Sequence, residues 1–185
     1  MNVKIDISNT RITTPRLLLR PWAQEDVQDL YAYASVDGVG QMAGWLPHND
    51  IEESRTILGS FIRDRKTFAI VLKATGKVIG SLGIEAYDEE ALPEFTDKQG
   101  REIGYVLAKD YWGRGLMPEA VNAVIDYLFN EMTLDFIICC HFTDNAASWR
   151  VQQKCGFAHY KLIKSETRYG IVKDSWVSVR YRSGV

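Results

Sequence analysis

The sequence lacks the features of a secreted, membrane-spanning or nucleotide-binding protein. Its three cysteines are an odd number without paired spacing, which favours a reducing compartment over a disulfide framework. No apolar stretch approaches the length of a membrane span, and the first residues contain no signal-peptide apolar run. Neither G-x-x-x-x-G-K-[ST] nor G-x-G-x-x-G occurs, which disfavours ATP, GTP and dinucleotides. We expect a cytoplasmic protein without a membrane partner.

Neither the net charge nor the positions of the histidines indicate a particular partner or ligand. With 22 basic against 24 acidic residues, the net charge of -2 gives no reason to expect a nucleic-acid partner. The histidines and cysteines show no spacing typical of a metal site, so we expect no metal. The 185 residues contain no repeat, linker or low-complexity tract. The sequence therefore predicts a single domain over residues 1–185.

The most informative stretch is 101–120, which has the pattern of a strand, a glycine turn and the start of an amphipathic helix. Apolar residues then recur on one helical face, at Met117, Ala120, Val121, Val124, Ile125 and Leu128. Gly113 and Gly115 allow a tight turn and the close approach of a ligand to bare N–H groups. Such amides and the helix dipole form an anion site. The residues alone leave a phosphate site and a purely structural turn equally open.

The remaining pattern predicts a mixed α/β protein of the α+β type. We expect strands at 17–20, 68–73, 77–85, 102–108, 136–142, 157–164 and 175–182, and further helices at 27–34, 50–65 and 145–155. One β-α-β crossover lies within an otherwise hairpin-linked sheet, which disfavours a doubly wound parallel sheet. The polar, acidic segment 87–100 is expected to be an exposed excursion.

A second motif, Asn145-x-x-Ser148 followed by Lys154-x-Gly-Phe157, begins thirty residues after Gly115. Taken alone it is a capped helix with a glycine stop. Together with the glycine turn, it resembles the GNAT superfamily of acetyl-CoA-dependent N-acetyltransferases. Within that superfamily it looks like the branch that holds the ribosomal-protein N-terminal acetyltransferases. The segments 14–21, 45–48 and 102–105 also match that branch, so the resemblance covers about residues 13–181.

The resemblance implies a GNAT-like acyl-CoA N-acyltransferase fold. Its largely antiparallel central sheet is flanked by helices and splayed at the CoA site, here between 102–108 and 136–142. The family's pyrophosphate loop, [QR]-x-x-G-x-[GA], maps onto 112–117, where Trp112 and Met117 depart from it. The residues implied to bind acetyl-CoA are Val106, Leu107, Trp112, Gly113, Arg114, Gly115, Leu116, Met117 and Asn145. For Arg114, a phosphate contact and a solvated arginine both remain open.

The resemblance also places Ser148 near the sulfur of acetyl-CoA, where its hydroxyl would stabilise or relay rather than act as a strong acid. A backbone N–H near Val106 or Leu107 would stabilise the oxyanion. The base stays open between Glu102, Glu166 and water, with Asp174 a weaker candidate; each carboxylate is a surface group by default.

The implied activity is transfer of an acetyl group from acetyl-CoA to a primary amine by direct attack in a ternary complex. A protein N-terminal α-amine is the first expectation for the acceptor, and a small amine, amino acid or antibiotic is the alternative. Two other classes stay open, a non-catalytic CoA-binding sensor or interaction module and a nucleotide-binding regulator. The sequence is compatible with a monomer or a homodimer.

Overall fold

A computed structural model of the protein describes residues 1–183. The strands are β1 Ile12–Thr13, β2 Leu17–Pro21, β3 Thr67–Leu72, β4 Val78–Glu85, β5 Gly100–Leu107, β6 Phe136–Phe142, β7 Ala158–Glu166 and β8 Val172–Tyr181. The helices are α1 Val27–Ala34, α2 Ile51–Asp64, α3 Leu116–Asn130 and α4 Ala146–Lys154. The mixed α/β class is confirmed. Of the strands, only the two-residue β1 was not predicted.

All eight strands form one sheet in the order β1-β2-β3-β4-β5-β6-β8-β7. Every neighbouring pair is antiparallel except β5 and β6, which are parallel and joined through α3. Their pairing runs from Gly100 opposite Phe136 to Glu102 opposite Ile138 and ends there, although both strands continue. The two strands therefore diverge beyond Glu102, which confirms the predicted splay between them.

Side-chain caps explain where two of the helices begin. The carboxylate of Asp50 accepts a hydrogen bond from the Glu53 amide at 2.9 Å, at the start of α2. The side-chain oxygen of Asn145 accepts one from the Ser148 amide at 3.0 Å, at the start of α4. A helix that begins with such a cap gains stability because one unpaired N–H is satisfied. The Asn145 cap fixes the direction in which α4 leaves β6.

The core lies on both faces of the sheet. On one face, α3 buries the stripe that its sequence predicted, with Ala120, Val121, Val124, Ile125 and Leu128 all inaccessible to solvent. On the other face, α1 and α2 cover the central strands through Leu30 and Leu58. Helices on both faces hold the splayed strands in place. Among residues 1–183, none of the helices combines the length and apolar character needed to cross a bilayer.

The prediction of an exposed excursion at 87–100 was wrong in part. Tyr87, Leu92 and Phe95 are buried against β6 and β8. The ring of Phe95 stacks on Phe136 with 4.4 Å between centroids. The acidic residues between these three face solvent, so the average composition of the segment hid three anchoring side chains that cover the closed end of the β5–β6 pair.

Candidate active site

The divergence of β5 and β6 opens a cavity of about 880 Å³. The N-terminal ends of α3 and α4, the end of β7 and the loop 38–44 complete its wall. It brings together eleven of the residues that the sequence singled out: Glu102, Val106, Leu107, Trp112, Gly113, Gly115, Leu116, Met117, Asn145, Ser148 and Glu166. Residues that are separated by up to 64 positions in the chain thus line one cleft.

Arg114 is the exception among the predicted binding residues. Its guanidinium lies 5.4 Å from the centroid of the Tyr111 ring, and its side chain does not line the cleft. Asp174, the weaker base candidate, lies outside the cleft and pairs with Lys164 at 2.6 Å. Four cations to which the sequence analysis gave no binding role also line the cleft: Lys109, Arg150, Lys154 and Arg168. The spacing of Arg150 and Lys154 on α4 is typical of an exposed helix face, so the sequence gave no sign that these two residues line a binding cleft.

The glycine turn has the geometry of an anion site. Gly113 and Gly115 have φ angles of 76° and 73°, in the left-handed region that favours glycine. Within residues 1–183, the N–H groups from Gly113 to Met117 have no hydrogen-bond acceptor. An added Cβ at Gly113 would meet no atom within 4 Å, so the turn is open on that side. Unpaired amides at the positive end of α3 fit a diphosphate.

The turn is braced from the residues just before β2 by contacts that the sequence did not reveal. Arg16 donates to the carbonyl oxygen of Arg114 at 2.9 Å and pairs with the Glu119 carboxylate at 2.7 Å. The same carboxylate accepts a hydrogen bond from the Thr14 hydroxyl at 2.6 Å. These contacts tie the first turn of α3, which contains Glu119, to the residues that precede β2.

We expect Arg16→Ala to weaken acetyl-CoA binding roughly fivefold, as expected for one net hydrogen bond of about 1 kcal/mol. The turn would lose its brace while the amides themselves stay in place. Isothermal titration calorimetry measures the change. Arg55→Ala is the matched control, because Arg55 pairs with Glu52 on the exposed face of α2. Equal dissociation constants for the two variants would contradict the bracing role.

Trp112, where the family pattern has glutamine or arginine, connects the turn to the cleft strand. Its indole N–H donates to the carbonyl oxygen of Leu107 at 2.7 Å, while 44% of the residue stays exposed. The departure from the pattern is therefore compatible with an ordered turn. Beyond Glu102, the edge of β5 that faces β6 has no partner strand within residues 1–183, which leaves backbone groups near Val106 and Leu107 available.

Glu102 and Glu166 face the cleft from different environments. Burial raises the pKa of Glu102 to about 7, a hydrogen bond with the Cys140 thiol opposes this rise, and the nearby Glu85 carboxylate adds to it. Glu85 is the cross-strand neighbour of Glu102 and pairs with Lys66 outside the cleft. Glu166 lies exposed at the end of β7. A pKa of about 7 suits Glu102 to exchanging protons near neutral pH.

The loop 38–44 crosses the mouth of the cleft and is fixed at two points. The carbonyl oxygen of Met42 accepts a hydrogen bond from the Asn145 side chain at 3.2 Å. The carbonyl oxygen of Gly44 accepts one from the Arg168 amide at 2.8 Å. Asn145 thus serves both as the cap of α4 and as a contact to this loop. Within residues 1–183, no group of three or more His, Cys, Asp or Glu residues could hold a metal ion.

The open parallel pair and the amide-lined turn are the features expected of an acyltransferase that accepts an acyl-CoA thioester. The model of the acetyltransferase (GNAT) domain matches residues 16–158, and the chain belongs to this family of N-acetyltransferases. The chain is also similar to the uncharacterized N-acetyltransferase p20 of Bacillus licheniformis. The two are 31% identical over 158 residues, which cover 82% of this chain and 84% of p20.

Solved structures of this family share the fold. An acetyltransferase of Bacillus anthracis superposes with a TM-score of 0.81 at 24% identity, covering 93% of this chain and 98% of that one. The ribosomal-protein-S5-alanine acetyltransferase of Vibrio fischeri gives 0.73 at 21%, covering 95% and 98%. The microcin C7 self-immunity acetyltransferase MccE, solved with acetyl-CoA and AMP, gives 0.76 at 19%, covering 96% and 100%. The family membership and the GNAT fold predicted from the sequence are confirmed.

Proposed function

We propose that this acetyltransferase takes its acetyl group from acetyl-CoA and transfers it to the α-amine at the N-terminus of a protein. The observation that carries the acceptor assignment is the pKa of Glu102, about 7, in the wall of the cleft. The donor assignment is supported by the unpaired amides from Gly113 to Met117 and by the opening between β5 and β6. Acetyl-CoA supplies a thioester that an amine attacks.

The pKa of Glu102 fits a peptide α-amine better than a lysine side chain. Because the α-ammonium of a peptide has a pKa of about 7.7–8.0, moving its proton to Glu102 costs roughly 1 kcal/mol. The same transfer from a lysine ammonium, of pKa about 10.4, costs roughly 5 kcal/mol. The carboxylates of Glu102 and Glu166 line the cleft wall and can each pair with an acceptor ammonium before it loses its proton. The names of related structures, such as the ribosomal-protein-S5-alanine acetyltransferase, agree with a protein acceptor.

In the proposed reaction, Glu102 accepts the proton of the bound ammonium, directly or through water. The freed amine forms a C–N bond with the acetyl carbon, and the C–S bond breaks with its electron pair left on sulfur. The extra proton that the nitrogen still carries after attack passes through water to the thiolate, which leaves as CoA–SH. A backbone N–H near Val106 or Leu107 stabilises the oxyanion in between. Ser148 donates a hydrogen bond to the leaving sulfur. Alignment of the two bound reactants makes the largest contribution to lowering the activation barrier, roughly 7–11 kcal/mol in favourable cases.

The test is release of CoA thiol with a matched panel of acceptors. It compares a short peptide with a free N-terminus, the same peptide blocked at its N-terminus but carrying a lysine, a free amino acid and a polyamine. We expect kcat/KM for the free N-terminus to exceed that for the blocked peptide at least tenfold, because each 1.4 kcal/mol of extra proton-transfer cost is a factor of ten.

Three outcomes would contradict the proposal in different ways. Preference for the polyamine or the free amino acid would assign a small-molecule acceptor instead. Acetyl-CoA binding without turnover on any amine would favour a sensor. Competition between ATP and acetyl-CoA for the same cleft would favour a nucleotide-binding regulator.

A further inference from the structure

The hydroxyl of Ser148 contacts two polar side chains to which the motifs gave no role, Tyr105 and Gln152. The phenol oxygen of Tyr105, on β5, lies 3.0 Å from Ser148 Oγ and 3.2 Å from the Ser148 carbonyl oxygen. The side-chain N–H of Gln152, on α4, donates to Ser148 Oγ at 3.3 Å. On its other side, Gln152 Oε1 lies 3.1 Å from Nδ1 of His141. A chain of contacts thus runs from β5 through Ser148 to β6.

The surroundings of Gln152 fix the direction of these bonds. Gln152 is fully buried, and its nitrogen also lies 3.5 Å from the carbonyl oxygen of Cys140, which can only accept. The nitrogen therefore belongs on the side of Ser148, and the oxygen accepts a hydrogen bond from His141 Nδ1–H. His141 is itself buried. Consequently Gln152 can act toward Ser148 only as a donor.

A serine oxygen accepts up to two hydrogen bonds and donates one. At Ser148, Gln152 fills one acceptor position. The single phenol hydrogen of Tyr105 is directed at the Ser148 carbonyl oxygen and, in the arrangement that we infer, is shared with Ser148 Oγ and fills the other position. The hydrogen of Ser148 then has no acceptor among these neighbours and is left to point into the cleft that Ser148 lines. Without Tyr105 or Gln152, the same hydroxyl could rotate toward protein oxygens.

We propose that Tyr105 and Gln152 are positioning residues that fill the acceptor positions of Ser148 Oγ and so direct its hydrogen toward the leaving sulfur of the donor. This inference rests on the proposed function, in which Ser148 contacts that sulfur. The proton stays on Ser148 throughout, because its hydroxyl stabilises the sulfur by a hydrogen bond as the electron pair of the C–S bond moves there. Both positioning residues act through Ser148 and need not touch the acceptor.

Tyr105→Phe tests the role by removing the phenol oxygen alone. We expect kcat to fall roughly tenfold, as for loss of one hydrogen bond near developing charge, with both KM values changed less than about twofold. In a Ser148→Ala background, the same substitution is expected to cause no further loss, because the hydroxyl that it positions is gone. A merely structural role would lower kcat equally in both backgrounds.

Tyr127→Phe is the matched control. Tyr127 is a buried tyrosine on α3 whose hydroxyl lies 3.4 Å from Thr10 Oγ1, outside the cleft. We expect this variant to keep the wild-type kcat. Thermal unfolding of both phenylalanine variants separates a loss of kcat from a loss of folded protein.

Gln152→Glu provides an independent second variant. A glutamate at 152 still accepts a hydrogen bond from His141, but its carboxylate presents an acceptor to Ser148 and draws the serine hydrogen away from the cleft. We expect kcat to fall to the level of Ser148→Ala. Wild-type kcat in Tyr105→Phe or Gln152→Glu, or additive losses in the double variant, would overturn the inference while leaving the proposed function intact. A wild-type protein that acetylates no amine would overturn both.

Discussion

Replacing Glu102 with glutamine is expected to lower kcat for a peptide acceptor roughly a hundredfold or more, the usual effect of losing a general base. Glutamine keeps the size and the cleft contacts of Glu102 but accepts no proton near neutral pH. The binding of acetyl-CoA is expected to stay unchanged, since the turn proposed to hold its phosphates is formed by other residues. Steady-state kinetics and calorimetry on the same preparations check both statements.

The pH dependence gives this prediction a sign. The pKa of Glu102 is raised from its ordinary value of 4.5 to about 7, so the group is protonated and unable to act as a base below that pH. Wild-type kcat should therefore rise through pH 7 as Glu102 ionises. Because the folded state holds this proton more tightly than the unfolded state, the free energy of unfolding should fall as pH rises from 4.5 to 7. Glu102→Gln should lack both transitions.

Glu85→Gln is a directional control for the same group. It removes the carboxylate whose charge raises the pKa of Glu102, while Glu85 itself lies outside the cleft. We expect the inflection in kcat to move to lower pH and the maximal kcat to be retained. A Glu102→Gln variant with wild-type kcat and an unchanged inflection would assign the base to Glu166 or to water.

Replacing Gly115 with valine is expected to weaken acetyl-CoA binding at least a hundredfold. Gly115 has a φ of 73°, and a β-branched residue there costs roughly 1–3 kcal/mol or forces the turn to change shape. A changed turn would break several amide–phosphate hydrogen bonds, each worth about 1.5–3 kcal/mol when the acceptor is charged. Calorimetric titration with acetyl-CoA measures the loss.

Gly76→Val is the matched control for that strain. Gly76 lies in the β3–β4 hairpin with a φ of 71°, and an added Cβ there would meet no atom within 4 Å. Both variants carry the same kind of backbone penalty, so both should lose comparable thermal stability, but Gly76→Val should bind acetyl-CoA like the wild type. If Gly115→Val also bound acetyl-CoA normally, the amides of the turn would not be the phosphate site.

Local signals in the sequence were sufficient for the elements that frame the cleft. The apolar stripe of α3, the Asn145 cap and the β6 run at 136–142 each depend on neighbours within a few residues, and each was predicted closely. The placement of the glycine turn beside Ser148 and Glu102 came instead from resemblance to a family. No periodicity in one sequence reports how far two strands diverge.

What could not be predicted depends on contacts between distant parts of the chain. Tyr105 and Gln152 meet Ser148 only after β5, β6 and α4 have packed, and Arg16 reaches Glu119 across 103 positions. Arg114 was selected for its charge and its place in the loop, whereas its side chain turns to Tyr111. The acidic composition of 87–100 likewise gave no sign that Phe95 is buried, because composition does not show which side chains face the core.

The short β5–β6 pairing divides the sheet into two parts that only a few residue pairs join. One part contains β1 to β5 and the other contains β6, β8 and β7. Three residue pairs join the two parts, whereas seven pairs join β6 and β8. Under the proposed function, a cosubstrate lying in the gap would contact both parts and add to the few residue pairs that join them. Saturation with it at about 100 times its dissociation constant would stabilise the folded protein by roughly 2.7 kcal/mol. Under the proposed function, the opening that admits the donor would thus also stabilise the folded sheet for as long as the donor stays bound.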